Sequence, residues 1–71
     1  MSSIAEDYPK QLDRVREARN EAAGMLAQGF NNMQFYVSVA DDLISRATDV
    51  AIKGDVVQKL ALYQELKDFK E

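Results

Sequence analysis

Cysteine, histidine and tryptophan are absent from these 71 residues, which hold a single proline and only three glycines. Each absence closes a class of function. Without Cys no disulfide can staple a small core, and without Cys or His there is no ligand set for structural zinc. Nucleophilic catalysis lacks both a thiol and an imidazole base, and a carboxylate di-iron bundle lacks the His of its Glu-x-x-His pairs. No glycine-rich phosphate loop is present. Asp41, Asp42 and Asp49 stand near one another in the chain, but calcium needs a D-x-D-x-D-G loop of converging oxygens. Asp42 with Arg46 four residues on reads as a solvated ion pair. The expectation is a protein that is not an enzyme, with no cofactor, no metal and no small-molecule substrate.

Long apolar runs are missing too, so no segment resembles a membrane span. The opening Met1-Ser-Ser-Ile-Ala-Glu-Asp has neither a basic nor an apolar leader region, which leads to the expectation of no signal peptide and a cytoplasmic location. Charge of one sign is nowhere concentrated. Residues 1–29 carry five acids and four bases, 30–53 three and two, and 54–71 four and three. A sequence pI near 4.8 and evenly spread charge argue against direct nucleic-acid binding, which depends on clustered Lys and Arg.

What is present is helical periodicity. The pattern predicts an all-α fold for residues 1–71 as one helical domain, a small three-helix bundle or a helical hairpin plus a third helix, with helices over about 8–28, 32–53 and 56–69 and a flexible tail over 1–6. In the first helix Asp7 is the expected cap and Pro9 falls in the first turn, where its missing N–H has no partner in any case. Leu12, Val15, Ala18, Ala22, Met25 and Leu26 form its thin apolar stripe. Gly29 ends it.

The middle helix is the most apolar. Asn31 with Gln34 is read as its capping box, with Phe30 and Phe35 as the hydrophobic staple around that cap. Met33, Tyr36, Val37, Ala40, Leu43, Ile44, Ala47, Val50 and Ala51 share an arc broad enough to meet two neighbours. Phe35 and Val39 sit at its polar margin beside Arg46. Gly54 is the expected left-handed residue after this helix, and Asp55 with Gln58 caps the next one. The last helix presents Val56, Leu60, Leu62, Tyr63, Leu66 and Phe69, with Lys59 expected to pair with Asp55. A helix-turn-helix DNA reader is disfavoured. That last helix opens Val56-Val57-Gln58-Lys59 and carries Glu65, Asp68 and Glu71, whereas readers offer Arg, Lys, Asn or Gln to bases.

The alternative fold is one long helix over 8–53 with the last helix folding back. A core this small nearly balances against its ordering entropy, so completion by oligomerisation is expected. The leading functional expectation is a protein–protein interaction module, a self-associating subunit or adaptor of a larger assembly. Its interface would involve Phe35, Val39, Arg46, Leu62 and Phe69, and its partner would be another protein or itself. The other expectation is an acidic regulator or inhibitor that covers a nucleic-acid-binding protein.

Overall fold

A computed structural model describes residues 3–70. The fold is all-α: α1 (Ile4–Ala27), a single 3₁₀ turn (Asn31–Met33), α2 (Gln34–Lys53) and α3 (Val56–Asp68). The continuous 8–53 helix is excluded. The chain reverses after α1, so that the Tyr8 hydroxyl donates to the Ala47 carbonyl oxygen at 2.7 Å and Arg19 Nε meets Asp41 Oδ1 at 2.7 Å. The third helix reverses again. Arg46 of α2 reaches Glu65 of α3 at 3.0 Å, and the Arg14 guanidinium of α1 donates to the Leu66 carbonyl. That last bond places a cation on the open carbonyls of the final turn of α3, where a helix dipole favours it.

The core lies where all three helices meet. Tyr8, Leu12 and Val15 of α1 pack with Ala40, Leu43 and Ala47 of α2 and with Leu62 and Leu66 of α3. Val15 and Leu66 have no exposed surface. Ala40 and Ala47 are also fully buried, and their small side chains let the bulkier neighbours approach. Ala18 and Ala22 are buried further along α1.

Three helix ends differ from the sequence reading. First, α1 begins at Ile4, four residues before the expected start and inside the expected tail; Met1 and Ser2 lie outside the described residues. Ser3 is the cap, its side chain accepting from the Glu6 amide at 3.3 Å, so Asp7 is released from that role. Pro9 consequently stands in the sixth helical position, where its missing N–H leaves the Ala5 carbonyl without its helical partner. Ala5 is exposed, and water can serve that carbonyl.

Second, the Asn31–Gln34 capping box does not form. Asn31 to Met33 take up a 3₁₀ turn, and neither that turn nor α2 has a side-chain cap. The staple fails with it, for Phe35 is 79% exposed and Phe30 55%. Local bonding here goes to the end of α1 instead. The Phe30 amide donates to Met25 O and the Gly29 amide to Leu26 O, the paired bonds of a Schellman ending, with Gly29 at φ 101.

Third, Gly54 is not left-handed but extended, at φ −77 and ψ 156. A Cβ there would stand 2.6 Å from both the Val50 carbonyl oxygen and its Cγ1. The glycine is required by close approach, not by backbone sign. The Asp55–Gln58 capping box does form in both directions. The Asp55 carboxylate accepts from the Gln58 amide at 2.8 Å, whereas Lys59 forms no pair with it and has no other partner among the described residues. The last helix ends at Asp68, and Phe69 follows as its C-cap.

Candidate interaction surface

The five residues expected at an interface separate into three groups. Leu62 is buried, 8% exposed, in the three-helix core. Phe69 packs against that core and meets Tyr36 edge-on, with ring centroids 5.2 Å apart. Leu62 is thereby closed to a partner and Phe69 is half-buried, because α3 turns this part of its apolar face onto α1 and α2. Arg46 is committed within the chain. It donates to Asp42 at 2.9 Å and to both oxygens of Glu65 at 3.0 Å, and these two carboxylates raise its pKa. Phe35 and Val39 remain exposed, one turn apart on α2.

Exposed apolar side chains gather at the two ends of the bundle. The antiparallel pairing of α1 and α2 puts the last turn of α1, the 3₁₀ turn and the first turn of α2 together. This turn end exposes Met25, Phe30, Phe35 and Val39. It is also free of charge, since no Asp, Glu, Lys or Arg occurs from residue 22 to residue 40. In a chain with 30% charged residues, that gap is the signal in the sequence that marks this end. Interfaces are depleted of charge at their centres in the same way.

The opposite end joins the start of α1, the end of α2 and the start of α3. It holds a groove of about 430 Å³ lined by Ile4, Pro9, Ala51, Val56 and Leu60, with Lys59 its one charged lining residue. Val56 and Leu60 fall on the helix face expected to be covered, yet they are 72% and 47% exposed. The residues facing them include Ala5 and Ala51, which are too short to fill the space. Near this groove Ile52 and Val57 are 76% and 74% exposed.

Between the ends the surface is polar and internally engaged. Asp13 pairs with Arg16, Asp41 with Arg19, and Asp42 and Glu65 with Arg46. The Tyr63 hydroxyl donates to Asp7. That bond is the main reason the Asp7 carboxyl is held below its ordinary value and the Tyr63 phenol above its own. Tyr8 is also shifted upward, by burial. Among the described residues no group of three or more acidic side chains is placed to hold a metal ion, and no helix is long and apolar enough to cross a membrane. No family model, curated protein or solved structure matches the chain.

Proposed function

We propose that this chain is a non-enzymatic helical interaction module that works as a self-associating subunit of a larger assembly. The observation that carries this reading is the exposure of large apolar side chains at both ends of a bundle whose central core is already complete. Phe35, Ile52, Val56 and Val57 are each more than 70% exposed. Scattered apolar residues are ordinary on protein surfaces, whereas contiguous patches mark interaction sites. Charge-led docking on a basic partner has less support. Asp41, Asp42 and Glu65 are held by the chain's own arginines, and docking on a basic surface would have to compete with those pairs.

Sedimentation velocity across micromolar concentrations tests the reading. The mass rises above the 8.0 kDa of one chain as concentration increases. The rise persists at high salt, because apolar burial is not screened as exposed ion pairs are. A particle that stays monomeric throughout contradicts self-association, and one that dissociates steeply with salt points to charge-led docking.

A further inference from the structure

We infer that the chain associates head to tail, with the turn end of one copy, led by Phe35, seated in the open-end groove of the next. This inference rests on the self-association reading and adds its geometry. The two apolar ends differ in shape. One carries protruding rings and the other a cavity, and they lie at opposite ends of a particle 40 Å long. A chain therefore cannot fill its own groove with its own Phe35.

Size and chemistry agree. A closed apolar cavity of about 150 Å³ takes up a benzene molecule, so a groove of about 430 Å³ has room for the Phe35 ring and a neighbouring side chain. Taking about 200 Å² for a fully exposed aromatic ring, Phe30 and Phe35 at 55% and 79% exposure offer about 270 Å². That is about a third of the surface each partner contributes to a standard interface, before Met25 and Val39 are added. Polar groups match as well. Next to Phe30 and Phe35 in the chain stand Gln28, Asn31, Asn32 and Gln34, whose amide oxygens accept hydrogen bonds. Among the groove's lining residues stands Lys59, an ammonium donor that has no partner among the described residues. The groove's other lining residues and the whole turn end lack charge, so the contact itself strips no ion of water without compensation.

Symmetric pairing serves these surfaces less well. Two grooves face to face enclose unfilled space, which destabilises in proportion to its volume. Two turn ends face to face leave both grooves open. A head-to-tail contact repeats from copy to copy, giving a ring where the rotation closes and an open chain where it does not.

Complementation between two variants tests this geometry. Phe35→Asp disables the turn end and Val56→Glu disables the groove. Both positions are exposed, and circular dichroism checks that each variant stays helical. Sedimentation of the wild type shows species larger than a dimer as concentration rises. Each variant alone associates at least about 30-fold more weakly, the loss typical of a central interface residue. An equimolar mixture of the two forms a heterodimer and goes no further, because each partner keeps one working end. Ala51→Phe, which fills the groove without adding charge, behaves as Val56→Glu does. Wild type that remains monomeric overturns both self-association and its geometry. Wild type that associates while Phe35→Asp or Val56→Glu leaves it unchanged overturns the head-to-tail arrangement alone. So does a mixture that fails to pair.

Discussion

At the scale of single residues, the tie between Asp7 and Tyr63 joins the first turns of α1 to the middle of α3, across 56 positions of sequence. Its two groups shift in opposite senses. Asp7 is lowered from about 3.8 by the Tyr63 hydrogen bond first, with help from Gln11, Lys10 and Lys67 and against some desolvation. A depressed carboxyl contributes stability above its unfolded pKa and loses it as pH falls through the folded one. Tyr63 is raised above 10.0, again chiefly by that bond, so its contribution holds below the unfolded pKa and disappears as pH rises through the folded one. Tyr63→Phe should therefore move the Asp7 titration, followed by carboxyl carbon chemical shift, back toward 3.8 and flatten the acid limb of the stability profile. An unmoved Asp7 titration in that variant would show that Gln11 and the lysines, not the phenol, set the shift. Little of this was legible from sequence. Asp7 reads as a cap and Tyr63 as a core residue, and only the up-down-up path of the chain brings them together.

At the scale of helices, legibility depended on how local each signal is. Asp55 and Gln58 cap α3 as their spacing indicates, because a capping box involves only four consecutive residues. Gly29 ends α1 for the same kind of reason. Ser3-Ile4-Ala5-Glu6 carries the serine-to-glutamate spacing of a helix start, a signal passed over when Pro9 is taken for a first-turn residue. The Asn31–Gln34 spacing misleads in the opposite direction. The Schellman bonds that close α1 commit the Phe30 amide to Met25 and leave the chain to enter α2 through a 3₁₀ turn. The two turn glycines look alike in sequence and differ in physical role, which substitution by asparagine separates. Asparagine tolerates the left-handed region, so Gly29→Asn should cost less than the about 1–2 kcal/mol that a left-handed Ala incurs. Gly54→Asn places a Cβ 2.6 Å from the Val50 carbonyl, so the turn must open, and it should destabilise by at least as much as Gly29→Ala. Denaturant midpoints of the three variants decide the point, and equal losses for Gly29→Asn and Gly54→Asn would contradict it.

At the scale of the whole molecule, the lengths of the helices set the shape. The 24 residues of α1 extend about 36 Å at 1.5 Å per residue, whereas the 13 of α3 extend about 20 Å. The third helix covers only part of the α1–α2 hairpin: Leu66, its last fully buried residue, lies against Arg14, and beyond its end Phe69 and Lys70 reach α2 at Tyr36. The radius of gyration, 12.9 Å, accordingly exceeds the about 11 Å of a compact chain this long. The bundle class was legible because periodicity fixes helices and short turns fix their reversal. The partial cover was not, since it depends on where α3 stops relative to α1. It leaves Met25, Phe30 and Phe35 exposed at the turn end, the kind of surface at which backbone opens locally. Amide exchange over residues 25–35 should thus be fast in dilute solution, while the amides of Val15 and Leu43 in the core stay protected to the limit of global unfolding. If that end docks in the groove of another copy, raising the protein concentration slows exchange over 25–35 and over 51–60 together. The core amides change only as overall stability does. Protection that rises at one of these two ends alone would indicate a symmetric contact, and protection independent of concentration at both would leave the turn end as a frayed hairpin tip with no partner among its own kind.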